Sequence, residues 1–144
     1  MILHGREEYL PTEEEEYMNS KQLSFFRKRL VDWRCELVAS NAGFVLSLKE
    51  TTMRKPDPVD QSASNSEMAL DVQTRNRQHN LIKQIDYALS RINDSEYGYC
   101  EITGEPIGLR RLLARPIATM CVDVQEHHER ISRTHVRYAA PCMM

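Results

Sequence analysis

The stretch Lys55-Pro56-Asp57-Pro58-Val59-Asp60-Gln61-Ser62 is the break on which the fold turns. Proline fixes φ and removes a backbone donor, so a Pro-Asp-Pro triplet ends one helix and seats the next. No proline occurs from 12 to 55, a span of 44 residues, or from 59 to 105, a span of 47 residues. Glycine is absent from 44 to 97. Two long windows free of breakers, flanking one stiff turn, predict a helical hairpin.

The apolar spacing outward from the turn agrees. Leu23, Phe26, Leu30, Trp33, Leu37, Phe44 and Leu48 follow the three-four rhythm of a helical seam, and Ile82, Ile85, Leu89 and Ile92 repeat it in the second window. Continued towards the turn, that second seam passes through Gln78, Arg75 and Asp71 to Met68, so the half nearest the tip is polar and weakly packed. Each arm of about 33 residues spans roughly 50 Å at 1.5 Å per residue. Asn93-Asp94 and then Gly98 close the second arm. Tyr97 to Pro116 reads as a compact loop region, after which a closing helix starts at Thr119 or Asp123 and runs to about Tyr138.

The resulting partition is an acidic segment over 1–19, a coiled-coil hairpin over 20–95 with its tip near 55–62, a small globular domain over 96–138, and a tail over 139–144. The fold class is mainly α: a long antiparallel coiled-coil hairpin, a small domain with a degenerate zinc-finger-like loop, and a C-terminal helix.

Composition bounds the function. Leu, Ile, Val and Phe make up 32 of the 144 residues, enough for a thin core and an elongated shape. No apolar run reaches the ~18 residues of a membrane span, and Met1–Glu8 has no apolar signal core, which points to a cytoplasmic protein. A pI near 6.2 argues against wrapping duplex DNA. Residues 1–20 carry a local charge of −5 and residues 21–144 one of +3, so the near-neutral total hides two opposed regions. The Glu13–Glu16 run reads as a solvated tail or the acidic first turn of a helix.

Cysteines stand at 35, 100, 121 and 142. Zinc knuckles pair thiols as C-x2-C so that two sulfurs share one tetrahedral ion. Here Thr103 follows Cys100 at that spacing and Val124 follows Cys121, so each knuckle keeps its first thiol and lacks its second. Two readings stand: small packing thiols close enough for an occasional disulfide, or a two-thiolate site that recruits His127 or His128. At the tip, Asp60 is placed to cap the second helix, while Asp57 has no such duty and is free to meet a metal ion or a basic surface. Arg75, Arg77, His79 and Lys83, with Arg110, Arg111 and Arg115, form a basic strip that is either a solvated face or a dock for an acidic or phosphorylated partner. There is no Gly-rich phosphate loop, and no nucleophile has a base at recognisable spacing, so the chain does not read as an enzyme.

Asp57-Pro58-Val59-Asp60, Arg75-Asn76-Arg77 before Leu81-Ile82-Lys83, Gly98-Tyr99-Cys100-Glu101, Gly104 with Ile107-Gly108, and Arg111-Leu112 to Ala114-Arg115-Pro116 resemble the DksA branch of the DksA/TraR family. The resemblance covers about residues 20–135. It implies a bacterial transcription factor, acting as a monomer, that binds RNA polymerase without reading promoter DNA. Its coiled coil would enter the secondary channel and shift promoter-complex stability in the stringent response. By position, Asp57 and Asp60 match the tip aspartates, with Ser62 where the family has alanine. Arg77 matches a basic arm residue linked to polymerase function. Leu81 and Arg115 match positions linked to the alarmone guanosine tetraphosphate (ppGpp), whereas Gln84 and Gln125 replace two basic positions of that site.

Half-absent thiols resemble the zinc-independent variants of the family, with Ile102, Ile107, Leu109, Leu112, Leu113, Ile117, Met120, Val122 and Val124 packing in place of the metal. The resemblance therefore implies no required cofactor, with ppGpp as an effector. A Gre-type transcript-cleavage cofactor, which also has an acidic coiled-coil tip, is the alternative. A zinc-dependent DNA-binding finger is disfavoured by the missing thiols and the acidic pI.

Overall fold

Helix α1 occupies Ser20–Thr52, and its start is written in the side chains before it. The Asn19 Oδ1 accepts from the Gln22 amide at 2.8 Å, and the Gln22 Oε1 accepts from the Met18 amide at 2.8 Å. This is a near relative of the reciprocal capping box, and it leaves Gln22 buried with its polar atoms engaged. The computed structural model describes residues 8–52 and 58–138, with side chains placed at 8–46 and 65–135. The tip residue Asp57 lies outside the described residues, as do the side chains of Asp60 and Ser62.

Helix α2 runs Pro58–Asn93, so Pro58 takes the first helical position, where a missing N–H costs nothing. It ends where the turn signals fall: the Glu96 and Tyr97 amides both donate to the Arg91 carbonyl, at 2.9 and 3.2 Å, and Gly98 takes φ +91°. A short helix α3, Leu109–Ala114, lies inside the segment read from sequence as loop. Six residues are too few for a periodic apolar signal. Helix α4 spans Val122–Tyr138 with Asp123 in its first turn. No strand occurs among the described residues, only an isolated antiparallel bridge between Tyr99 and Pro106. No helix among them is long and apolar enough to cross a membrane.

The chain divides into two units, one formed by the residues up to Phe25 together with those from Arg91 onward, the other by Phe26–Ser90. The second unit is the arm. Phe26, Leu30, Ile85 and Ala88 are buried in it, while Trp33, Leu37 and Phe44 are half-buried. Arg34 bonds Asp86 at 2.7 Å, and the Arg75 guanidinium lies 4.7 Å from the Phe44 ring centroid. Ten residues outward along α1 thus pair with eleven residues back along α2, the register of an antiparallel hairpin. Towards the tip, residues 65–74 of α2 are all exposed, in keeping with the polar seam read there.

In the first unit Ile92, Tyr97, Cys100, Ile107, Leu109, Leu112, Ile117 and Ala118 are buried. Leu113, Met120 and Val124 are half-buried. Two of the aliphatics expected to pack there do not: Ile102 is 63% and Val122 47% exposed. Ile102 sits on the turn after Cys100, and Val122 opens α4 on its outer side, so hydrophobicity alone misassigned them. The glutamate run is also neither of the two things expected. It lies in turns ahead of α1, where Glu15 accepts from the Tyr9 hydroxyl and from Asn19 Nδ2, and Glu13 meets Arg110 at 3.5 Å.

Candidate functional site

Cys100 sits at the end of a tight turn tied down by backbone bonds. Its amide donates to the Glu105 carbonyl at 2.8 Å, and the Gly104 amide returns to the Cys100 carbonyl at 2.9 Å. The next residue, Glu101, donates its amide to the Thr119 carbonyl at 3.0 Å and so joins this turn to the segment that carries Cys121. Burial pushes the Cys100 thiol up. The Thr103 hydroxyl and the amides of Thr103, Cys121 and Ile102, all directed at the sulfur, outweigh it and hold the thiol down at about 6 against an ordinary 9.0. Thr103 itself is exposed, and its hydroxyl also accepts weakly from the Glu105 amide at 3.4 Å. Cys121 is a half-buried free thiol just before α4, and Val124 is half-buried on that helix. The degenerate finger residues Cys100, Thr103 and Cys121 are therefore brought together, with Cys100 as the centre.

Two residues that sequence reasoning passed over hold this unit closed. Arg91 is 4% exposed, and its Nη2 donates to the carbonyls of Glu96 at 3.0 Å and Tyr99 at 2.6 Å. Its Nε and Nη1 find no partner among the described residues, so a buried cation here is anchored by carbonyls alone. Tyr17 reaches across from the N-terminal segment. Its hydroxyl donates to the Gly98 carbonyl at 2.6 Å and accepts from the Gly108 amide at 3.1 Å, with its ring edge-on to Tyr99. Burial raises the Tyr17 hydroxyl above its usual pKa of 10.0. No spacing rule marks Arg91 or Tyr17, but the Asn19-x-x-Gln22 pattern was a readable signal for the ordered entry to α1.

The remaining candidates are dispersed. Arg77 is exposed and Leu81 half-buried one turn apart on α2, both in the arm unit, while Arg115 is exposed just after α3 in the other unit. Gln84 is exposed on α2, and Gln125 spends its amide on Glu129, with Nε2 to Oε1 at 2.9 Å. Three members of the basic strip have structural partners: Arg75 covers Phe44, Arg110 meets Glu13 at 3.5 Å, and Arg111 Nε donates to the Met120 carbonyl at 3.0 Å.

Comparison with known proteins places these features in a lineage. Residues 22–92 match the family described as DnaK suppressor protein DksA, N-terminal domain, and residues 95–130 match the prokaryotic dksA/traR C4-type zinc finger. A protein of Caulobacter vibrioides named RNA polymerase-binding transcription factor DksA is 46% identical over 134 residues, covering 93% of this chain and 94% of that one. The protein of the same name in Escherichia coli is 40% identical over 123 residues, covering 85% and 82%. The solved structure of transcription factor DksA2 from Pseudomonas aeruginosa superposes with a TM-score of 0.75 at 37% identity, covering 81% of this chain and 90% of that one.

A C4-type finger implies four thiolates around zinc, and this chain does not supply them. Thr103 and Val124 stand at the second knuckle positions, and no group of three or more His, Cys, Asp or Glu side chains able to hold a metal occurs among the described residues. The Thr103 hydroxyl is instead turned onto the Cys100 sulfur. With both halves of the chain matched in order, and relatives aligned over most of its length, the chain belongs to the DksA/TraR family and is of the DksA type.

Proposed function

We propose that this chain binds RNA polymerase directly and regulates transcription by presenting the tip of its α1–α2 arm inside the secondary channel, changing the lifetime of promoter complexes. The observation that carries the reading is the ordered match of arm and finger to DksA proteins, relatives named for binding RNA polymerase. The antiparallel arm, with residues 65–74 of α2 exposed, suits a part that must enter a solvated channel. Asp57 and Asp60 are the working tip residues, with Ser62 beside them. Arg77 faces polymerase, and Leu81 and Arg115 belong to the surface where ppGpp acts. Gln84 and Gln125 in place of basic residues weaken that phosphate attraction, because charge-assisted hydrogen bonds are about twice as strong as neutral ones. The chain acts in the cytoplasm, without catalysis of its own and without a requirement for zinc.

The test is the lifetime of open complexes on a ribosomal promoter, with metal-free protein, in the presence and absence of ppGpp. Wild type shortens the lifetime, and Asp57→Asn with Asp60→Asn abolishes the effect. An unchanged lifetime with wild type would overturn the proposal. A Gre-like cofactor would instead stimulate transcript cleavage in backtracked complexes, and no cleavage is expected.

A further inference from the structure

Residues 8–19 precede α1 as a strap of turns, held on two sides by bonds of different kinds. Towards α1 the hold is deep. Gln22 is fully buried, and its Nε2 donates to the Thr12 carbonyl at 3.2 Å while its Oε1 accepts from the Met18 amide at 2.8 Å. One side chain thus pins the strap at two points, and the Tyr9 ring adds an edge-on contact to Phe25, with centroids 6.2 Å apart. Towards the finger, no backbone–backbone hydrogen bond joins residues 8–18 to residues 91–138 among the described residues. Side chains make the hold there: the Tyr17 hydroxyl between Gly98 and Gly108, the Met18 thioether over Gly98, and the exposed pair of Glu13 with Arg110.

We propose that this strap is a latch, which opens from the finger as one piece while staying on α1, and whose closure fixes the start of α3. Gly108 is the N-cap of α3, at φ +103°, and it has no side chain to cap the helix. In a capping box the side chain at the third helical position accepts from the N-cap amide. That position here is Arg111, which can only donate, so the Tyr17 hydroxyl supplies the acceptor, at 3.1 Å from the Gly108 amide. The same hydroxyl donates to the Gly98 carbonyl at 2.6 Å, so one group closes both ends of the loop from 98 to 108.

Gly98 is what allows the strap to seat. A Cβ there would lie 2.7 Å from the Met18 Cγ and 2.8 Å from its sulfur. A helix of six residues has little stability of its own, so the geometry of α3 depends on what fastens its ends. Arg110 and Arg111 lie on α3 and Arg115 follows it, so the latch sets the base from which this basic segment is presented. The inference concerns only this unit and stands apart from polymerase binding.

The test is native-state hydrogen exchange on the full chain, labelled with nitrogen-15, at low urea concentrations. The Ile107 amide, bonded to the Gly98 carbonyl at 2.8 Å, and the Cys100 amide, bonded to the Glu105 carbonyl at 2.8 Å, report on the finger itself. In wild type the Gly108 amide should exchange through an opening that depends less on urea than theirs, because a latch exposes less surface than unfolding. Tyr17→Phe keeps the ring and removes the hydroxyl. It should raise Gly108 exchange about 10-fold or more, the scale of two modest hydrogen bonds, with Ile107 and Cys100 unchanged. Cleavage within Glu13–Glu16 by a glutamate-specific protease should rise with it. Equal urea slopes at the three amides in wild type, an equal rise at all three in Tyr17→Phe, or unchanged cleavage would each overturn the proposal. The wild-type slopes decide it alone if the variant does not fold.

Discussion

In the unit that joins the N-terminal segment to the residues from Arg91 onward, closure is achieved by groups that reach for backbone: a buried guanidinium on two carbonyls, a Tyr97 hydroxyl donating to the Pro116 carbonyl at 2.7 Å, and Tyr17 bridging Gly98 and Gly108. In the arm unit the side-chain contacts are exposed and either local, as with the Thr74 and Ser90 hydroxyls on the Leu70 and Tyr87 carbonyls of their own helix, or side chain to side chain, as with Arg34 and Asp86, 42% and 50% accessible. Among the described residues of the arm, the buried hydrophobic side chains are Phe26, Leu30, Ile85 and Ala88. Backbone-directed bonds fix loops that have no periodic structure of their own, whereas a helix satisfies its own backbone and needs only a seam. The finger therefore spends its sequence on holding a shape. The arm spends it on length.

That contrast can be broken by substitution. The largest effect is expected in the finger, where Leu112 is fully buried: Leu112→Ala should destabilise this unit by about 2–5 kcal/mol, read by urea unfolding. An equal loss of protection across the arm in hydrogen exchange would show that the units do not melt separately. Next is Gly98→Ala. Gly98 combines φ +91° with a would-be Cβ only 2.7 Å from the Met18 Cγ, so a loss of more than about 1 kcal/mol is expected. Adding Met18→Ala should recover the steric part and leave the backbone part, and full recovery would mean that the backbone is not strained.

The finger should also respond to pH. Cys100 is held in the folded state at about 6, below its ordinary 9.0. A depressed value contributes stability that is complete above the unfolded value and lost as pH falls through the folded one. Under reducing conditions, the advantage of wild type over Cys100→Ser should therefore grow from pH 6 to pH 9. A flat difference would remove the thiolate cradle from the account. The smallest effect belongs to the arm: Arg34→Ala should cost about 0.2–1 kcal/mol, less at high salt, in the same urea assay.

The hairpin was legible because its signals are periodic or local. Leu30, Ile85 and Ile92 mark a seam by spacing, and Pro58 and Gly98 mark its ends by backbone chemistry. The finger was legible only in part. Counting thiols at 100 and 121 identified a degenerate knuckle, but nothing in composition says that Thr103 turns its hydroxyl onto the remaining sulfur. Arg91 and Tyr17 escaped because their partners are carbonyls and amides, which leave no trace in side-chain patterns. Ile102 and Val122 were placed inside by hydrophobicity, yet they sit on a turn and a helix start whose orientation is set by tertiary context. The acidic run was misread for a related reason: an Asn19–Gln22 cap starts α1 after the glutamates and not among them.

The most direct test of the central claim is competition for core RNA polymerase against a labelled coiled-coil factor that occupies the secondary channel. The account predicts displacement by wild type, and equal displacement by the chain carrying Asp57→Asn and Asp60→Asn, because the tip acts after the arm has docked. Failure of wild type to displace the factor at any concentration would contradict it.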